Sequence, residues 1–204
     1  MGDKQRERAH TLVELLVAMG IIASAGGIVL SIFFLALRGS TKTDTLTVVR
    51  QNGNNAISQI AHLIRNARRF DGVSNDGVNF QNNCVQQQAN PTPTPVPYQY
   101  VRITSNDPGQ STFICNYNPS PDPITIASAS SPVPSPAVTP PPALLLDTDV
   151  VSLDSCYFTC YQETTAQNPV IGIHFLLSAR TESGFVERSA SIPFDTSILL
   201  RNKD

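Results

Sequence analysis

Four cysteines, three histidines and one carboxylate set in an apolar run are the residues here whose type and spacing could do chemistry. Cys84, Cys115, Cys156 and Cys160 all follow the apolar run, and none precedes it. That asymmetry suits a domain exported to an oxidising compartment, where disulfides persist. A zinc site fits poorly, because the one CxxC-like element, "CYFTC", has three intervening residues and no flanking histidine. If "SCYFTC" is extended, Cys156 and Cys160 stand about 13 Å apart, beyond the ~7 Å that a bridge allows between Cα atoms. They would then pair with Cys84 and Cys115. If the stretch curls into a turn, 156–160 and 84–115 form instead. The second pairing is the expectation, because Cys84 and Cys115 flank one continuous excursion of the chain.

The histidines give no catalytic pattern. His10 lies at the edge of the apolar run, His62 in a helical pattern, and His174 inside "VIGIHFLL". Neither G-x-S-x-G nor H-E-x-x-H accompanies them, and there is no phosphate-binding glycine loop. His174, on a mostly apolar strand, reads as an edge or core histidine. The expectation is therefore no enzyme, no metal and no cofactor.

The carboxylate is Glu14, in "AHTLVELLVAMGII" (9–22). A charge inside a bilayer costs roughly 3 kcal/mol on insertion scales, so it calls for a partner or a purpose. From Leu15 to Leu37 there are 23 residues without a charge. As a helix they span about 35 Å, enough for the ~30 Å hydrocarbon core. A cleaved secretory signal has a shorter apolar region and a small-residue cleavage site after it. Here the small residue, Ala9, comes before it. Lys4, Arg6 and Arg8 on the near flank, against Arg38 and Lys42 on the far one, favour a cytoplasmic N-terminus by a narrow margin.

Helical spacing continues beyond Leu37 as an amphipathic stripe of Leu46, Val49, Gly53, Ala56, Ile57, Ile60, Leu63, Ile64 and Ala67. One helix over about residues 11–70, nearly 90 Å long, is predicted, with "FDG" (70–72) as its stop. The alternative is two helices meeting near Gly39, since glycine is costly inside a helix. After residue 72 the pattern becomes β. Strands are predicted at 98–104, 111–117, 150–158, 170–179 and 186–194, with turn chemistry in "SNDPGQ" and "TESG". With no crossover helices between them they form an antiparallel sheet, whose buried face is left to cover the helix stripe. The fold class is thus α+β.

Thirteen of the sixteen prolines fall in two tracts, 91–97 and 119–142. Proline fixes φ and lacks a donor, so 119–142 is predicted to be a flexible or polyproline-like surface insertion. Outside these tracts and the apolar region about a hundred residues remain, enough for one small domain. Net charge is -2 and the pI is near 5.9, so no basic field marks a nucleic-acid binder.

In order, the sequence has a short polar leader, a small residue, "HTLVELLVAMGII", a long helix and an antiparallel sheet. This resembles the type IV prepilin and pseudopilin family, whose signature is Gly, an aromatic residue, Thr, Leu, any residue and Glu, then an apolar stretch. Thr11, Leu12, Glu14, Leu15 and Leu16 match. Ala9 stands where Gly is usual, and His10 where Phe is usual. The closing "FDTSILLRN" and the region before it loosely resemble minor pilins of the J-type pseudopilin class. The resemblance implies cleavage between Ala9 and His10 by a prepilin peptidase, N-methylation of His10, and assembly with other pilin subunits by an inner-membrane platform and a cytoplasmic ATPase. It also implies a role for Glu14 in pairing with a neighbouring subunit's N-terminus. The simpler account of Glu14 is a side chain reaching headgroup water.

The expected organisation is a leader over 1–9, a membrane or filament-core helix over 10–37, an amphipathic continuation over 38–70, and an extracytoplasmic sheet domain over 71–204. The expected function is a minor pilin or pseudopilin, held in membrane lipid before assembly. The rival readings are a signal-anchored binding module that never polymerises and, set aside above, an anchored enzyme.

Overall fold

The computed structural model describes residues 11–85, 96–106, 109–118, 123–131, 141–180 and 191–201. The expected cleavage pair Ala9 and His10 lies outside them, as do 91–95, 119–122 and 132–140 of the proline tracts. The architecture is α+β. Among the described residues one helix, α1 (Leu12–Arg65), precedes nine strands: β1 (Arg69–Ser74), β2 (Pro97–Tyr98), β3 (Tyr100–Thr104), β4 (Gln110–Tyr117), β5 (Thr125–Ser131), β6 (Ala143–Leu144), β7 (Val151–Tyr161), β8 (Val170–Ala179) and β9 (Ser191–Leu199). The chain divides into two compact units, Met1–Thr43 and Asp44–Asp204.

In the first unit α1 is helical through Gly39, so the expected alternative of two helices meeting there does not arise. Its side chains from Leu12 to Leu37 are exposed wherever they are described, including Leu12, Ile22, Phe34 and Leu35. By length and composition this is a helix able to cross a membrane.

In the second unit the helical stripe is buried. Val49, Ala56, Ile60 and Ile64 are fully covered and Ala67 nearly so, while Leu63 falls on the open side. Phe194 of β9 lies where a side chain at Gly53 would stand, so β9 meets the helix backbone closely there. Two antiparallel sheets share this core, ordered β1-β3-β4-β5-β6 and β2-β7-β8-β9. The single sheet expected from sequence is therefore two. Phe113 and Ile126 from the first sheet, and Phe158, Ile171, Ile173 and Leu177 from the second, are fully buried in it.

Four further expectations are corrected. The helix ends at Arg65 and not near 70, because the backbone turns into the sheet: Arg68 N–H donates to Thr104 C=O at 2.8 Å. "FDG" is not a stop but the bulge of β1, where Gly72 takes φ 134° and a β-carbon would run into the Gln81 backbone. Residues 125–131, expected to be part of a surface insertion, form β5 between β4 and β6, since "TIASASS" contains no proline and buries Ile126 and Ala127. The last strand, described over 191–199, runs on past the expected end at 194, and 186–190 of the expected range lie outside the described residues.

The cysteine pairing is also corrected. β7 is extended, with Cys156, Phe158 and Cys160 alternating onto its buried face, so Cys156 and Cys160 cannot reach each other. Cys84 joins Cys160 and Cys115 joins Cys156, with Cα separations of 5.5 and 5.4 Å. The second bridge ties β4 of one sheet to β7 of the other.

Candidate functional site

Two regions hold the residues that could carry function, and each lies within one unit. The first is the start of α1. Thr11 precedes the helix and acts as its N-cap: its Oγ1 accepts from Glu14 N–H at 3.4 Å, and its carbonyl accepts from Leu15 N–H at 3.2 Å. Thr11 and Glu14 are spaced as in a capping box, and an acidic residue in the first turn complements the positive end of the helix dipole. The spacing "TLVE" carries this signal. Glu14 thus helps to begin the helix, whatever else it does. Leu12, Leu15 and Leu16 are 77%, 55% and 60% exposed, three large apolar side chains on the same opening turns.

The second region is the outward face of the sheet β2-β7-β8-β9. Alternation on β7 buries Cys156, Phe158 and Cys160 and turns Tyr157, Thr159 and Tyr161 the other way. Cross-strand pairing sets Tyr157 beside His174 and Thr159 beside Gly172; His174 in turn pairs with Asp195. His174 Nδ1 is 2.6 Å from Asp195 Oδ1, and His174 Nε2 is 3.2 Å from Thr159 Oγ1. The Tyr157 ring stacks on the imidazole, with centroids 4.8 Å apart and planes 14° from parallel. His174 sits on the outward face of an interior strand. It is neither an edge nor a core histidine. No local motif could reveal this set, because its members come from three strands over the 39 residues from Tyr157 to Asp195 and meet only through register. The outward alternation of "YFTCY" was the one available clue.

The remaining polar clusters have structural occupations. His62 Nε2 lies 3.1 Å from Asn66 Nδ2, beside a cleft of about 510 Å3 lined by Ile57, Ala61, Arg65 and Thr196. The bulge residue Asp71 accepts from Arg69 Nε at 2.8 Å and from Thr104 Oγ1 at 2.6 Å. Arg102 lies 3.6 Å over the Phe80 ring, and burial lowers its pKa while nearby Asp71 opposes that shift. Asp76 organises the loop after β1, accepting from the Ser74 hydroxyl and from the backbone N–H groups of Val78 and Asn79. Among the described residues no group of three or more His, Cys, Asp or Glu is placed to hold a metal. Compared with protein-family models, with characterised proteins and with solved structures, the chain matches none.

Proposed function

We propose that this chain is a minor pilin or pseudopilin: a structural subunit held in a membrane by the first half of α1 and then packed into a filament through the same segment. One observation carries the proposal. The motif residues Thr11, Leu12, Glu14, Leu15 and Leu16 open an exposed apolar helix whose second half is the spine of an α+β domain. A soluble monomer gains nothing from leaving so many large apolar side chains uncovered. Lipid first, and neighbouring helices of the same kind afterwards, would cover them.

On this proposal the N-terminus is cytoplasmic and the sheet domain extracytoplasmic, a placement that suits two disulfides. Cleavage between Ala9 and His10 frees an amino group four residues before Glu14, and that charge pairs with Glu14 of a neighbouring subunit. Its partners are then other pilin subunits, a prepilin peptidase that also methylates His10, and an inner-membrane assembly platform. One feature favours the rival, a signal-anchored module that never polymerises: Ala9 and His10 replace the residues usual at the cleavage site.

N-terminal mass spectrometry of the membrane-extracted protein separates the two. The expected mature start is N-methyl-His10. An intact Met1 or Gly2 start, in cells with active prepilin peptidase, would leave the anchor reading standing. Glu14→Ala should insert into the membrane normally yet enter filaments poorly; normal incorporation would remove the pairing role.

A further inference from the structure

The outward face of the second sheet joins a hydroxyl, an imidazole and a carboxylate in one line. With the imidazole neutral, His174 Nδ1–H donates a hydrogen bond to Asp195 Oδ1 at 2.6 Å, which leaves the lone pair on Nε2. Thr159 Oγ1, 3.2 Å from Nε2, is then placed to donate its hydroxyl proton to that lone pair. Two further residues maintain the line. Tyr157 stacks flat on the imidazole and limits its rotation. Gly172 lies beneath the meeting point, and a β-carbon there would run into both Thr159 Oγ1 and His174 Nε2. A hydroxyl bonded to a base, itself oriented by a carboxylate, is the arrangement that activates a nucleophile.

We propose that Thr159 is an activated nucleophile, with His174 as its general base and Asp195 as the group that fixes the tautomer, and that it accepts acyl groups from small activated esters. The inference does not rest on the filament proposal. The ester must be small and already activated, because the groups stand on an open sheet face: the side chains of His174 and Asp195 are 25% and 65% exposed. Side chains so exposed offer little surface to grip a long acyl chain. In the step, Thr159 Oγ1 forms a bond to the carbonyl carbon as its proton passes to His174 Nε2. The bond from that carbon to the leaving oxygen breaks, and the leaving oxygen takes the electron pair and then the proton from His174. The products are an O-acyl threonine and a free alcohol or phenol, with no change of oxidation state. A positioned general base contributes about 10²–10⁴-fold. Oxyanion stabilisation is a separate contribution and is not assigned to this site, so the lower end of that range is expected.

The test uses the full chain in detergent micelles, p-nitrophenyl acetate as the probe, and peptide mass spectrometry to locate the acetyl group. Thr159 should be acetylated about 100-fold faster than an exposed threonine without a base, such as Thr164. Thr159→Ser should keep the reaction, and Thr159→Val should abolish it at this site. His174→Ala should lose it and regain it with added imidazole, a rescue that a purely structural histidine would not permit. Gly172→Ala should slow it while the circular dichroism spectrum is unchanged. Acetylation of Thr159 no faster than Thr164, an undiminished rate in His174→Ala, or an adduct that stays on His174 would each overturn the proposal.

Discussion

Gly53 sits inside α1, where glycine costs about 1 kcal/mol relative to alanine. Yet a methyl group there would fall on the Phe194 ring, which is itself stacked on Phe175 with centroids 5.0 Å apart. Overpacking a core typically costs about 1–3 kcal/mol, more than the propensity gain. Gly53→Ala should therefore lower stability by about 1 kcal/mol net in chemical denaturation, and Phe194→Leu in the same chain should recover part of the loss. A variant more stable than wild type would mean that the ring moves aside freely. Asp76 is decided by charge instead of volume. The Ser74 hydroxyl first, and then the N–H groups of Asn79 and Val78, hold its carboxyl well below the usual carboxylate range. Because the folded value lies below the unfolded one, the contribution is complete at pH 7. It is lost as pH falls below about 4 towards and through the folded value. Asp76→Ala should melt below wild type at pH 7, and the gap in Tm should narrow steadily as the pH is lowered from 4. A constant gap would show that the loop is held without the charge.

At the scale of elements, β5 shows what pattern can and cannot reveal. "YQYVRIT", "STFICNY" and "VIGIHFLLSA" alternate β-branched and aromatic residues, and they form β3, β4 and β8 nearly where periodicity puts them. "TIASASS" has small polar side chains and proline on both sides, so its local preference is weak. Its place comes from pairing with β4, from Gln110 opposite Ser131 to Tyr117 opposite Thr125. The cysteine pairing was hidden for a similar reason, since it depends on which face of β7 the thiols share. The outward set on Tyr157, Thr159, His174 and Asp195 was hidden too, because register between strands brings it together. β5 also holds one unsettled polar atom. Thr125 is fully buried, and its hydroxyl makes no hydrogen bond. An orphaned buried hydroxyl costs about 1–3 kcal/mol, and valine keeps its shape without that cost. Thr125→Val should raise stability by about 1 kcal/mol with the fold unchanged; a loss of that size would mean that water satisfies the hydroxyl.

The whole molecule puts its apolar surface to two different uses. No residue before Val49 is buried among the described residues, and the shared core draws on the helix from Val49 onwards and on both sheets. Stability of the second unit should therefore be indifferent to the first. A chain beginning at Asp44 keeps 22 residues of α1, secured by packing of its apolar face. Its largest cross-links close segments with sequence separations of 76 and 41 residues. Loop-closure entropy gives bridges of that span about 4 kcal/mol each, the shorter nested inside the longer so that the sum overstates the pair. Against a total of about 5–15 kcal/mol for a domain, that share is decisive. Residues 44–204, made in an oxidising compartment, should be a soluble folded monomer with the Tm of the full chain in detergent. The full chain should stay with the membrane fraction. Adding reductant should unfold the fragment cooperatively at 37 °C, measured by circular dichroism. A fragment that aggregates although its four thiols are oxidised would show that the first half of α1 supplies part of the fold and not only an anchor.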